Sequence, residues 1–496
     1  MANLNPLELK IVDIKIKKFI GTDEMSIMPQ FIELTIFQSI FEPVIKAQML
    51  INDNIGLFVN YPFTGEEVIT VYYQSLSDVT NNTQVHKQIQ FIIKGVKDII
   101  VNDRARSMVY TIDLTSVEFL QNARKYVSHA YNDLFEDAAE KVYNEYILQD
   151  TELQFKQVKN FYKEKSIKVR QVVIPNLRPF QAIQWLAKHA VSADYENKFL
   201  YLFYENFDGF YFTTIQQLIK DGQDNIETLI KNQFKYVSDT EVSKINKNDP
   251  SQQLRYITNL VNNKRFSSIE KIAAGYYQNE LFEISMLQKS YNSTNTELSA
   301  SSTGQFTLGP NPLNTPEYIS YVKNKIDGTE YSNRIRYIIN NYEDFDAENR
   351  SQPDYRLKFG QATKYLYALN QIDLTITVPA NMELNVGDII YCVLPESHGF
   401  NLVENDKYIS GTFIISEVKH VISTGNKAAT SLRIYKDGYL NALFEDSLYN
   451  TNAPSRGRKT IDPATGKPSW LQMITMVINL DGLLALSNQL AMIEPV

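Results

Sequence analysis

Strict alternation of apolar and polar residues at both ends of the chain is the feature that most limits how it can fold. Near the N-terminus Leu7, Leu9 and Ile11 alternate with Glu8 and Lys10; the phase then slips, and Val12, Ile14 and Ile16 continue between Asp13, Lys15 and Lys17. A period of two places one face of a strand in a core and the other in water. A slip of one residue reverses the faces unless the strand holds one extra residue, so a β-bulge is expected near Ile11 and Val12. Further strands are expected at Ile32–Leu34–Ile36, Ile45–Ala47–Met49–Ile51, Val68 to Tyr73, Ile89–Phe91–Ile93 and Met108–Tyr110–Ile112–Leu114. Turn-forming residues separate them at Asn52 to Gly56 and at Asn81–Asn82, the pattern of a small β-barrel or sandwich.

A second alternating region lies near the other end. Ile372, Leu374, Ile376 and Val378 alternate with Asp373, Thr375 and Thr377, and Val386 to Leu394, Gly411 to Ile422 and Thr430 to Tyr435 follow, with turns at Gly387–Asp388 and Asp437–Gly438. Between the two regions the spacing changes. Asp133 to Tyr146 is helical, with Leu134, Ala138 and Val142 on one face. Pro179 to Ser192 is a clearer helix: Pro179 suits the first helical position, and Phe180, Ile183, Ala187 and Ala190 form its stripe. Phe199 to Phe212 turns over at Asp208–Gly209 as a hairpin. A helical region is expected from about Pro250 to Gly275, a polar linker over Ser290 to Pro316, and another helical stretch around Tyr355 to Leu369. At 496 residues the chain is too long for one core, so three or four domains are expected.

Little in the sequence points to chemistry. No GxGxxG, GxxxxGK[ST] or GxSxG motif occurs. The single cysteine, Cys392, has no intrachain partner, and its apolar run from Ile389 to Leu394 suits a buried, inert thiol. Glu417 and His420 are three residues apart on an expected strand and so point to opposite faces; too few other His or Cys remain for a zinc site. His129 and His189 read as surface or capping residues, and Glu66–Glu67 and Asp137/Glu140 as solvated acids. No catalytic residue, metal or cofactor is expected. The net charge of −8 disfavours a tight grip on nucleic acid but not a channel that DNA slides through. Met1-Ala2-Asn3-Leu4 opens no charged segment followed by an apolar one, so a signal peptide is not expected there.

The end of the chain is apolar from Trp470 to Ile493, but Asp481 lies near the middle of that stretch. A central Asp costs about 2.5–3.5 kcal/mol for insertion, so no membrane span is expected. Instead Trp470, Leu471, Ile474, Val477, Leu483, Leu484 and Leu490 read as a candidate interface arm on the polar tether Thr451 to Ser469. The alternative is a closing element of the chain's own last domain.

Two stretches carry a family resemblance. The first runs Ile174-Pro175-Asn176-Leu177-Arg178-Pro179-Phe180, through the helix to Phe199 to Glu205, and closes on Asp208-Gly209-Phe210-Tyr211-Phe212. The second runs from Val378-Pro379-Ala380-Asn381 through Asn385-Val386-Gly387-Asp388 to Ser410 to His420. With Ile40-Phe41-Glu42-Pro43 and Phe63-Thr64-Gly65-Glu66-Glu67, they resemble the baseplate central hub proteins of contractile-tailed bacteriophages over most of Met1 to Leu440. The resemblance implies a mainly β, α+β fold: a first tube-like antiparallel β-barrel (1–120), a mixed α/β insertion (121–235), a helical connecting region with a polar loop (236–330), a second tube-like barrel (331–445) and a C-terminal extension (446–496). It implies a virion protein assembled in the host cytoplasm, a homotrimer that adapts a sixfold tail tube to a threefold central spike. Implied partners are the tail tube protein, the spike protein, and tape measure and baseplate wedge proteins. DNA would pass a neutral or acidic lumen without specific binding. A tail-associated cell-wall hydrolase and a peripheral receptor-binding tail protein are the alternatives.

Overall fold

In the computed structural model the described residues run from 9 to 439; the stretches 19–23, 76–86, 103–106, 150–158, 195–199, 238–253, 298–307, 313–334, 340–365 and 396–405, and a few shorter ones, lie outside them. The N-terminal alternation forms β1 (Leu9–Lys17), β2 (Glu24–Ser26), β3 (Phe31–Ser39), β4 (Lys46–Asp53), β5 (Val68–Ser75), β6 (Lys87–Asn102) and β7 (Ser107–Ser116), with a one-turn helix α1 (Leu57–Asn60). The bulge sits where the phase slips. Strand β1 pairs antiparallel with β5, and the register jumps from Ile11 to Asp13, leaving Val12 as the extra residue. Strand β6 serves two layers: its first part, from Lys87 to Ile92, pairs with β5, and from Phe91 onward it pairs with β7. Between the layers Ile14, Ile69 and Val71 meet Ile36, Met49 and Ile112 in one core. Burying each such side chain stabilises the fold by roughly 1.5–3 kcal/mol.

The middle of the chain holds α2 (Glu118–Arg124), β8 (Ala130–Asp133), α3 (Phe135–Tyr143), β9 (Asn160–Lys163), β10 (Arg170–Val173), α4 (Pro179–His189), β11 (Tyr201–Glu205), β12 (Gly209–Thr214), α5 (Ile215–Asp224) and α6 (Ile226–Lys231). Helix α3 runs on into a π-helical turn at Asn144–Leu148. Helix α4 starts at Pro179 as expected, and its stripe of Phe180, Ile183, Ala187 and Ala190 is buried. The Asn122 side chain accepts from the Phe180 N–H at 2.9 Å, satisfying a donor that the helix itself cannot. In the hairpin β11–β12, Asn206 Oδ1 accepts from the Asp208 and Gly209 N–H groups, which fixes the turn.

The remaining strands are β13 (Phe234–Tyr236), β14 (Tyr256–Ile257), β15 (Asn259–Arg265), β16 (Gln278–Ser285), β17 (Ser290–Glu297), β18 (Asn311–Pro312), β19 (Ile335–Ile339), β20 (Ile372–Pro379), β21 (Ile389–Val393), β22 (Gly411–Ser423), β23 (Lys427–Lys436) and β24 (Gly438–Tyr439). Two expectations fail here. Within the region expected to be helical from Pro250 to Gly275, residues 256–265 are strands, because β20 offers β15 a partner from Asn259↔Thr377 to Arg265↔Ile372. The expected linker begins as strand β17, paired along its length with β16. The helical stretch expected around Tyr355 to Leu369 lies largely outside the described residues.

Among the described residues no sheet closes on itself, so the two expected barrels are not confirmed. Fourteen strands make one open sheet, in the order β14-β13-β21-β22-β3-β4-β7-β6-β5-β1-β2, with β23, β20 and β15 following on from β22. The reason is one pairing. Strand β22 runs antiparallel to β3, from Glu417↔Ser39 to Ser423↔Glu33, and so joins the two alternating regions edge to edge. Both regions use the same strand order. The series β5-β6-β7-β4-β3 in the first matches β21-β22-β23-β20-β15 in the second, with every neighbouring pair antiparallel. The long strands β6 and β22 each shift register just past their first neighbour, between Ile93 and Gly95 and between Ile415 and Glu417.

Gly387 shows how tightly the middle region abuts the second half. Its φ is +89°, and a Cβ there would lie 2.4 Å from the Tyr204 hydroxyl oxygen. Gly387→Ala should cost about 2–4 kcal/mol, the left-handed backbone and the overpacking adding together. A lowered urea midpoint checks this; an unchanged midpoint would refute the packing argument.

Candidate functional site

Displaced pKa values collect at active sites, so a catalytic centre would stand among the buried ionisable groups. The largest cluster lies where the middle region meets the first half. Glu205, 1% exposed at the end of β11, accepts from the Ile45 N–H at 2.8 Å and the Ser116 hydroxyl at 2.7 Å, and pairs with Lys159. Lys159 also reaches Glu118 at 3.6 Å. Burial pushes the Glu205 carboxyl up to about 7, with Lys159 pulling the other way and Glu118 adding to the rise. Burial also works against the Lys159 charge, but the two carboxylates outweigh it and hold its pKa above the ordinary lysine value. A general acid must reach its substrate. Glu118 and Glu205 are each 1% exposed, and the cluster ties α2, β7 and β11 to the segments just before β4 and β9, so it acts as a joint.

A second cluster has the same character. Glu164 accepts from the Ser192 hydroxyl at 2.6 Å, the Thr213 hydroxyl at 3.1 Å and the Thr214 N–H at 2.6 Å, and burial raises its pKa. Thr214 then caps α5 by accepting from the Gln217 N–H. Of the acids read as solvated, Asp137 and Glu140 are, and both hold Lys163 at 2.6 Å. Glu67 is not: it is fully buried and accepts from Thr64 N–H, Thr64 hydroxyl and Gly65 N–H, closing the turn before β5. Sequence alone could not separate it from Glu66; the turn Thr64–Gly65 beside it was the available signal.

The other sequence candidates are placed as follows. Cys392 is buried, and burial pushes its thiol up, which disfavours the thiolate. His420 is buried, stacked on Phe207 at 5.7 Å, bonded through Nδ1 to the Thr430 hydroxyl, and pushed down to about 3 by burial. Glu417 points the other way, to Arg433. Among the described residues no group of acids, His or Cys could hold a metal ion, and no helix is long and apolar enough to cross a membrane. The arm residues Trp470, Leu471, Ile474, Val477, Leu483, Leu484 and Leu490 lie outside the described residues.

What is presented outward is a surface. Eight consecutive antiparallel strands, β6-β7-β4-β3-β22-β23-β20-β15, form an arc that spans both halves. One face buries Ile112, Met49, Ile36, Val418, Leu432 and Ile376. The other is polar, and three of its cations, Arg433, Lys97 and Lys46, are held in pairs. Arg433 donates to Asp373 at 2.7 Å and to Glu417 at 3.1 Å, tying three strands; Lys97 meets Asp113 at 2.9 Å and Lys46 meets Glu42 at 2.6 Å. Lys419 lies over the Phe37 ring. Such exposed pairs add little stability, but they commit these three cations to carboxylates.

No protein-family model matches the chain, and no curated protein matches it. Solved structures do. A tail protein from Neisseria meningitidis MC58 is 12% identical with a TM-score of 0.44, covering 86% of this chain and 96% of that one. The 43 kDa tail protein of prophage MuSo2 from Shewanella oneidensis is 10% identical with a TM-score of 0.47, covering 86% and 98%. The Escherichia coli c3393 protein, a type VI secretion system component described as structurally similar to T4 tail proteins gp27 and gp5, is 10% identical with a TM-score of 0.37, covering 88% and 80%. Over most of its length, the structural neighbours of this chain are phage tail proteins and their secretion-system counterparts.

Proposed function

We propose that this chain is a structural protein of a phage tail, the central hub of its baseplate, and that three copies form a ring around the tail axis. The observation that carries the reading is the eight-stranded arc built from two halves of the same strand order. Three such chains present six alike halves in a threefold arrangement, which is what an adaptor between a sixfold tube and a threefold spike requires. Each half then does the work of one tube-like barrel, completed by its neighbours rather than closed on itself. The motifs from Ile174 to Phe212 and from Val378 to His420, which resemble those of baseplate hubs, support the same assignment.

The polar face of the arc is the surface we assign to the channel. DNA affinity rises with each free Lys or Arg that reaches a phosphate. Arg433, Lys97 and Lys46 are already committed to carboxylates, so a duplex slides past with few contacts. No catalytic role is assigned, since the buried acids act as joints between elements. The tail tube and spike proteins are the axial partners in this reading, with tape measure and wedge proteins beside them. The segment Trp470 to Ile493 is assigned as an arm that docks on a neighbouring subunit or on the spike, because fourteen large apolar side chains on a polar tether need a surface to cover them.

The mass of the purified chain in solution tests both points. The full chain, concentrated and with its spike, is expected at three times the monomer mass. Deleting residues 470–496 is expected to leave a folded subunit that has lost the trimer or the spike. A full chain that stays monomeric contradicts the ring; a truncated chain that misfolds contradicts the arm.

A further inference from the structure

Glu205, Lys159 and Glu118 cannot reach a substrate in solution, but they reach one another. The Lys159 amine touches Glu205 Oε1, and Glu118 Oε2 stands 3.6 Å from the same nitrogen. The other oxygen of Glu205, Oε2, accepts from the Ile45 N–H at 2.8 Å and from the Ser116 hydroxyl at 2.7 Å. An amine, a second carboxyl and two fixed donors therefore converge on one carboxyl group.

A buried salt bridge needs less than this. One carboxylate for each cation is enough, and well-made hydrogen bonds offset the cost of drying the charges. Here two acids meet one lysine, and Glu118 Oε2 makes no hydrogen bond, its distance to Lys159 being too long for one.

The same groups meet the needs of acyl transfer. A lysine amine is a nucleophile once it gives up a proton. Donors at about 2.7–3.1 Å from a carboxyl oxygen stabilise the negative charge that gathers there as the carbon becomes tetrahedral. The donors on Oε2 are at that distance, which leaves Oε1, on the amine side, as the oxygen that departs. Water is kept back as well. The side chains of Glu205 and Glu118 are 0% and 2% exposed, and the buried Phe210 ring lies 6.0 Å from the Lys159 nitrogen. Dryness favours amide formation over hydrolysis, and fixed contact replaces a chance encounter of the two groups.

We propose that Lys159 and Glu205 become joined by an isopeptide bond that the folded chain makes on itself. The step balances within the ion pair. A bond forms between Lys159 Nζ and Glu205 Cδ, and the bond from Cδ to Oε1 breaks. The ammonium starts with three protons; one stays on the amide nitrogen and two leave on Oε1 as water. The carboxylates hold the amine charged at rest, so its protons move during the step itself. Glu118 takes one from the nitrogen and passes it to Oε1. Nothing is oxidised or reduced, and no co-reactant is needed. Until the bond forms, Glu205 titrates as a carboxyl.

The bond ties the residue before β9 to the end of β11, across β12, which lies between those strands in their sheet. It closes a loop between residues 46 apart in sequence, so it restricts the unfolded chain as any cross-link does and raises the thermal midpoint. It goes beyond the hub reading and does not depend on it, so either can fail alone.

The intact mass of the purified full-length chain, followed with time after folding, tests this. The chain is expected to weigh less than its sequence requires by one water. A proteolytic digest should then hold a branched peptide that joins the segment with Lys159 to the segment with Glu205. Lys159→Arg keeps the positive charge without the amine and should show neither the loss nor the branched peptide. Glu118→Gln keeps both partners and should slow the loss by about a hundredfold or more. A folded parent chain that keeps its full mass overturns the proposal, and so does a loss of water that maps to other residues. Loss at the parent rate in Glu118→Gln overturns the role given to Glu118. If either variant fails to fold, the mass and the branched peptide of the parent chain still decide.

Discussion

Glu205→Ala is expected to destabilise the protein by about 3–5 kcal/mol, the range for breaking a buried ion pair from one side. The change strands the Ser116 hydroxyl and the Ile45 N–H, and leaves Lys159 with Glu118 alone. Hydrogen exchange should rise at the joint between β4, β7 and β11 before it rises in the second half. Glu205→Gln should cost much less, because an amide oxygen still accepts from both donors. It should also change the pH profile. Burial pushes the Glu205 carboxyl up to about 7, above its ordinary value of 4.5. The folded state thus holds a proton that the unfolded state has lost, and stability from this group is full below about 4.5 and falls as the pH rises through 7. Glu205→Gln should flatten that slope; an unchanged slope would mean the carboxyl is not the group responsible.

Phe210→Ala is the second large effect, about 3–5 kcal/mol for emptying an aromatic site in a packed core. Phe210 is fully buried, and its ring lies 5.1 Å from Tyr143, 5.6 Å from Phe180 and 5.8 Å from Phe203. These come from α3, α4 and β11, so one deletion loosens the packing among three elements. Phe210→Leu fills part of the space and should recover a good part of the loss. Thermal unfolding of the two variants beside the parent decides it, and equal midpoints for all three would contradict the packing.

Local features were legible because they depend on neighbours in sequence. The slip of phase at Ile11–Val12 gave the bulge, Pro179 gave the start of α4, and Asp208–Gly209 gave the β11–β12 turn. Strand β15 was not legible. Its apolar residues Leu260 and Val261 stand among Asn259, Asn262 and Asn263, and what makes them a strand is β20, more than a hundred residues away. The pairing of β3 with β22 spans nearly four hundred residues, which is why the sequence showed two separate β regions and not the one sheet that joins them. Glu205 was passed over for a related reason. It reads as the polar end of an aromatic hairpin, and its partners Ile45, Ser116 and Lys159 come from distant segments. The likeness of the two halves is carried by strand order, not by matching residues, so only the pairings expose it.

An image of the intact tail, at a resolution that traces strands, tests the central claim most directly. The account expects three copies of this chain on the tail axis, between the tube and the spike, with the polar face bearing Arg433, Lys97 and Lys419 lining the channel. Finding the chain away from the axis, or on the axis with its apolar-cored arc turned outward and the channel lined by another protein, would contradict it.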